Sequence, residues 1–234
     1  MAQRPVFIIQ NGYDPLLVRT ETVTFEWFAG LSTAQKQRSI KSLHAAAGKL
    51  PGIGRILEIS TKSENVLGSK LSAFNLMLKT PDQPQGLSVE RAFQGSKVFE
   101  HGGPYLELFA MTSREAKLDK RLQSSGRLTG FQFEGIDWPL EPRTAFYDWL
   151  YITALVQHSA LIEQLDDFSA FTDIEFNPTR SINCQAYSVA FYASLARRGE
   201  WQASALDKDA FLRLVGTRPV SNARQDDLRQ DSLF

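Results

Sequence analysis

The stretch "SVERAFQGSKVF", residues 88–99, places Glu90, Gln94 and Lys97 at spacings of four and three, which is the repeat of one helix face. Apolar Val89, Ala92, Phe93 and Phe99 take the other faces. A carboxylate set beside an amide and an ammonium has the groups that move protons or stabilise developing positive charge. A plain structural reading competes with this one. A glutamate two residues past a helix cap is favoured by the helix dipole alone, by about 0.3–1 kcal/mol.

Other chemistries are poorly served. His44, His101 and His158 are isolated and lack metal-ligand spacing, so no metal is expected. The single cysteine, Cys184, lies in an apolar helical stretch with no histidine in local reach and reads as a packed thiol. Glycine-rich phosphate loops, dinucleotide fingerprints and nucleophile elbows are all missing, and no cofactor is expected. Carboxylate, lysine, amide and aromatic chemistry remains. That set suits the cleavage of a glycosidic bond, where a carboxylate handles the proton or an oxocarbenium-like charge while aromatics hold the base or sugar.

The elements that must position these residues are readable in outline. "RPVFIIQNGYDP" and "TETVTFEWF" read as two strands of an N-terminal hairpin. A helix follows from Ser32, its cap, with Gln35 three residues on, and stops at Gly48 to Gly52. "RILEIS" is a strand, residues 61–78 a strand-to-loop exit and "KTPDQPQG" a loop. Ser88 caps the glutamate helix, which "EHGGPY" breaks, and another helix starts near Ser113. "GRLTGFQFEG" reads as a strand, and residues 141–168 as one long central helix. "AFTDIEF" is a strand whose alternation puts Asp173 and Glu175 on one face. Helices from Ser181 to Gly199 and over "DKDAFLRLV" complete the reading. The expectation is one α+β domain, mostly helical with short strands. It divides into a β-rich N-terminal extension over 1–54 packed on the core, a core over 55–216 and a flexible tail over 217–234.

Bulk composition narrows the setting. The chain has 234 residues and 43% hydrophobic content, enough for a sizeable core. One cysteine excludes an intramolecular disulfide framework; with no signal peptide or membrane span in view, a cytoplasmic protein is expected. The 26 basic and 26 acidic residues balance, which argues against coating nucleic acid by counterion release but not against a local contact. The basic stretch "REAKLDKRLQSSGR", 114–127, reads first as a solvated helix face.

Three segments together, "KSENVLGSKLSAFNL", "SVERAFQGSKVF" and "FTDIEFNPTRSINCQA", resemble the NADAR superfamily of N-glycosidases acting on ADP-ribose and related nucleotides. The family's Ser-Asn-Phe element appears as Ser72, Ala73 and Phe74. Its glutamate helix appears as Ser88, Glu90, Gln94 and Lys97, with Val98 inserted before Phe99. The likeness is to the divergent antitoxin branch paired with DarT-type DNA ADP-ribosyltransferase toxins. "FEWFAGLSTAQKQRSIKSLHAAA" extends it, so that it runs to about Gly199.

The resemblance implies an NADAR-like core and an antitoxin that removes ADP-ribose from guanine in DNA, releasing ADP-ribose. It maps the family glutamate onto Glu90 and the loop lysine onto Lys62, with Lys70 as the alternative. Lys62 would bind the diphosphate or attack an opened ribose as an amine. Trp138 in "GIDWP" would stack the base or sugar, with Ser72, Phe74 and Gln94 lining the pocket. The late acidic position stays open among Asp173, Glu175 and Asn177. Asn183 and Gln185 either pack their helix or meet pyrophosphate near its start at Ser181. The base must be reached in single-stranded or opened DNA, because extruding it from a duplex costs energy. Two other readings stand beside this one: an N-glycosidase on phosphorylated riboflavin-pathway or other nucleotide intermediates, and a non-catalytic binder that occludes the toxin.

Overall fold

The computed structural model describes residues 1–12, 16–179, 181–202 and 206–217; of the tail expected over 217–234, all but Thr217 lies outside the described residues. Strands β1 (Ala2–Ile9) and β2 (Val18–Phe25) form the N-terminal hairpin, in register from Ala2 with Phe25 to Ile9 with Val18. Residues 6–9 of β1 are all buried because both faces of the strand are covered. Val6 and Ile8 meet Ile40, Leu43 and Ala47 of helix α1 (Thr33–Ala47), while Phe7 and Ile9 turn to the main core. Helix α1 starts where its cap demands, with Gln35 N donating to Ser32 Oγ at 3.3 Å.

Strand β3 (Ile56–Glu58) leads into the short helix α2 (Val66–Lys70), capped by Asn65. Gly68 sits where α2 crosses β3, and a Cβ there would run into the Glu58 carbonyl. The proline-bearing stretch expected as a loop is instead a hairpin of β4 (Met77–Thr80) and β5 (Gln83–Ser88). Gly86, at φ +92°, supplies backbone freedom within it. Helix α3 (Val89–Gly95) follows at once, then β6 (Lys97–Phe99). Two short helices, α4 (Ser113–Lys117) and α5 (Arg121–Ser124), precede the hairpin β7 (Leu128–Phe133) and β8 (Ile136–Trp138). Strands β6, β7 and β8 make a three-stranded sheet.

The long helix expected over 141–168 is broken. Helix α6 spans Ala145–Leu155, and α7 spans Ser159–Ile162. Between them the Gln157 side chain turns aside to bond both the amide and the carbonyl of Lys79, at 2.8 and 3.0 Å. Strand β9 (Ala170–Thr172) then inserts between β1 and β3, antiparallel to the first and parallel to the second. The resulting order β2-β1-β9-β3 weaves the N-terminal extension into the main sheet. Helix α8 (Gln185–Arg197) starts four residues later than Ser181, the expected start, and α9 (Lys208–Thr217) packs on α6. Helix α8 lies against β1 and β9 on one side and α6 on the other, which explains the burial of every residue from Gln185 to Leu195. Helix α6 in turn backs α3, so the fold presents the glutamate helix on a fixed base.

Candidate active site

Helix α3 is held at its start by Ser88, whose Oγ accepts from Arg91 N at 3.3 Å and bonds Ser113 Oγ of α4 at 2.8 Å. Glu90, in the first turn, is only 5% exposed. Gln94 Nε2 donates to Glu90 Oε1 at 2.9 Å, and Lys117 Nζ of α4 lies 3.6 Å from the same oxygen. The other carboxylate oxygen accepts no hydrogen bond among the described residues. Lys117 Nζ also stands 5.1 Å from the Phe74 ring centre. On the far side Lys97 Nζ lies 4.8 Å from the Phe93 ring centre. Burial pushes the Lys97 ammonium down to about 8; the Glu90 charge opposes this and Lys117 adds to it. Glu90 therefore has one ammonium close by, that of Lys117, and feels the charge of a second, Lys97, beside the Phe74 and Phe93 rings.

Behind Glu90 a chain of hydrogen bonds gathers segments far apart in sequence. Glu90 N donates to Ala73 O at 2.9 Å, and Ala73 N donates to Gln185 Oε1 at 2.7 Å. Gln185 Nε2 donates to Ile59 O at 2.7 Å and to Asp173 Oδ2 at 2.9 Å. One buried amide thus joins the end of β3, the 72–74 turn and the segment after β9. Asp173 Oδ1 accepts from the amides of Glu175 at 2.9 Å and Phe176 at 3.2 Å. Burial raises its carboxyl to about 6, with the Glu175 amide and Gln185 pulling the other way.

Asp173 is backed by a second buried acid. Glu58 accepts from Ile174 N at 2.8 Å and from Thr172 Oγ1 at 2.6 Å. Burial and then the Asp173 charge push it up to about 8. His44 Nε2 reaches Thr172 Oγ1 at 2.9 Å, and burial pulls that imidazole down to about 4. Tyr147 closes the wall opposite, its ring edge-on to Phe93 at 5.0 Å between centres. Burial first, then the charge of Glu90 and lesser neighbours including Asp173, keeps its hydroxyl protonated.

These placements sort the residues singled out in the sequence. Glu90, Gln94, Ser72 and Phe74 gather around α3; Ser72 Oγ accepts from Phe74 N at 3.4 Å. Asp173 joins them through Gln185, with both of its oxygens engaged. Glu175 does not share its face. The strand ends at Thr172, and the Asp173 side chain turns the chain by capping the amides of Glu175 and Phe176, which leaves Glu175 exposed. Lys62 is half-buried, and its side chain has no ion pair among the described residues. Lys70 is exposed and borders an open depression with Asn75, Met77 and His158. Asn177 Oδ1 caps its own turn, accepting from Thr179 N at 3.1 Å. Asn183 lies in the loop before α8, half-buried.

Trp138 is 3% exposed, packed between Phe146 and Trp149, and its indole N–H has no partner among the described residues. No ring face is open there for a base. Sequence reasoning passed over Lys117, Tyr147, Glu58 and His44. Only Glu58 carried a signal, an acid inside the apolar strand "RILEIS". No group of three or more His, Cys, Asp or Glu among the described residues is placed to hold a metal. No described helix is long and apolar enough to cross a membrane.

Two comparisons bear on this geometry. The family model described as DarT1-associated NADAR antitoxin matches residues 2–225. Among curated proteins, none matched.

Proposed function

This chain belongs to the DarT1-associated NADAR antitoxin family, and on that footing we propose that it is an N-glycosidase that removes ADP-ribose from ADP-ribosylated guanine in DNA. One observation carries the reading. Glu90 is a buried carboxylate with one oxygen fixed by the Gln94 amide and the other unbonded among the described residues. The neighbouring buried acids, Asp173 and Glu58, have both oxygens occupied by structural hydrogen bonds. A carboxylate held for structure has its lone pairs satisfied; one held for chemistry is oriented and left open.

In the reaction, the bond between the anomeric carbon of the ribose and the guanine amine breaks. Water supplies the oxygen that ends on that carbon, and a proton ends on the guanine nitrogen. The open oxygen of Glu90 orients the water, takes its proton and stabilises positive charge on the sugar. Asp173 acts as a positioning residue through Gln185, while Lys62 and the 173–177 segment anchor the ribose. The target is single-stranded or opened DNA, where the base is accessible.

The test is release of ADP-ribose from an ADP-ribosylated oligonucleotide by the wild type and by Glu90→Ala. A loss of roughly 100-fold or more is expected. Wild-type release by the variant would remove Glu90 from the mechanism.

A further inference from the structure

Charges around the α3 pocket do not cancel. Glu90 contributes one negative charge, and Lys117 and Lys97 bring two positive ones, each ammonium resting near an aromatic ring. The surrounding acids are occupied elsewhere. Glu115 closes the cap of α4 on Thr112 at 2.9 Å, Asp119 and Glu107 bind Arg121, and Glu100 binds Arg127. Arg91 is spent on the Phe109 carbonyl at 2.8 Å. The Lys117 contact is also loose. Its 3.6 Å exceeds the roughly 2.7–2.9 Å of a tight charge-assisted hydrogen bond, and its side chain is 54% exposed. A lysine in that position can exchange a shared carboxylate for a better anion without unfolding anything.

We propose that Lys117 and Lys97 form a phosphate-binding site beside Glu90, with Lys117 leaving Glu90 for the incoming phosphate oxygens. Two ammonium groups around a single carboxylate leave one net positive charge, which a phosphate group neutralises. The phosphate belongs either to the diphosphate of the ADP-ribosyl group or to the DNA backbone; both offer the same oxygens. That the substrate is an ADP-ribosylated nucleic acid rests on the function proposed above, but the anion site itself does not.

Calorimetric titration of the full chain with inorganic pyrophosphate, ADP-ribose and an unmodified single-stranded oligonucleotide tests it. Lys117→Gln should weaken pyrophosphate binding roughly tenfold, the cost of one charge-assisted contact. Lys117→Arg should retain most of that affinity, and Lys120→Gln, which changes an exposed neighbour, should leave it unchanged. A matching loss for ADP-ribose places the diphosphate in the site; a loss for the oligonucleotide places the backbone there. Equal pyrophosphate affinity for wild type and Lys117→Gln, or no binding by wild type, would overturn the site. Lys117-dependent pyrophosphate binding alongside full activity of Glu90→Ala would leave the site standing and remove the glycosidase assignment to Glu90. With the modified oligonucleotide, Lys117→Gln should raise KM and keep kcat. A fall in kcat at constant KM would assign Lys117 to the chemistry instead.

Discussion

Replacing Glu58 by Gln should flatten the dependence of stability on pH between about 6.5 and 8. In the fold Glu58 keeps its proton up to about pH 8, while in the unfolded chain it loses it near the usual 4.5. Between those values the folded state binds more protons, so stability falls as pH rises. Asp173, raised from 3.8 to about 6, acts with the same sign in a lower window. His44 acts oppositely: held neutral down to about 4, it adds stability as pH climbs toward its usual 6.5 and little beyond. Lys97, lowered from 10.5 to about 8, adds stability as pH rises through about 8 toward its usual 10.5.

Lys97 and His44 also titrate in part between about 6.5 and 8, but they are common to both proteins, so the difference from Glu58→Gln isolates Glu58. At about 1.4 kcal/mol per pH unit, and with Glu58 half ionised at the upper end, its carboxyl should cost the wild type about 1.5 kcal/mol across the interval. The glutamine mimics the protonated acid, accepting from Ile174 N and donating to Thr172 Oγ1, so the variant should lose almost nothing. Urea unfolding of both proteins at the two ends of the interval measures this directly. Parallel slopes for wild type and Glu58→Gln would refute the argument that this carboxyl is buried as the neutral acid.

Other changes probe the site itself. Gln185→Ala removes three buried hydrogen bonds and should cost about 3 kcal/mol in urea unfolding. It should also lower turnover, because Ala73 then no longer holds the Glu90 amide. Trp138→Phe takes away a buried donor without a partner among the described residues and should alter stability by no more than about 1 kcal/mol. Its KM for the modified oligonucleotide should stay at the wild-type value; a marked rise would mean the indole swings out to stack on the substrate. In cells producing a DarT-type toxin, Glu90→Ala should fail to restore growth. Full rescue would favour occlusion of the toxin over hydrolysis.

How far the sequence disclosed the site differs from residue to residue. Glu90 and Gln94 were legible because a capped helix fixes the spacing of four, and their side chains do meet at 2.9 Å. Lys97, read as the next member of the same face, lies past the end of that helix. Ser96 Oγ donates back to Ala92 O at 2.7 Å, and the chain turns into β6. Lys97 lies over the Phe93 ring and feels the Glu90 charge from β6, not by helical periodicity. Asp173 and Glu175 separated because a side-chain turn outweighed strand alternation. The break near Gln157 has a tertiary cause, since that side chain satisfies the backbone of Lys79. Lys117 and Tyr147 approach Glu90 from 27 and 57 positions away in the chain, and only the packing of α4 and α6 on α3 brings them in.

The insertion of β9 between β1 and β3 imposes an order on synthesis. Strand β1 leaves the ribosome well before its inner partners, Ala170 and Phe171, which come some 160 residues later. Until then the edge of β1 has only β2 beside it, and the amide of Gln185 that gathers the pocket has not been made. A chain interrupted before that point contains Glu90 but nothing to hold it in place. Partial products of translation or proteolysis that end short of α8 should therefore be inert, and any activity that depends on Glu90 should appear only once α8 has been made.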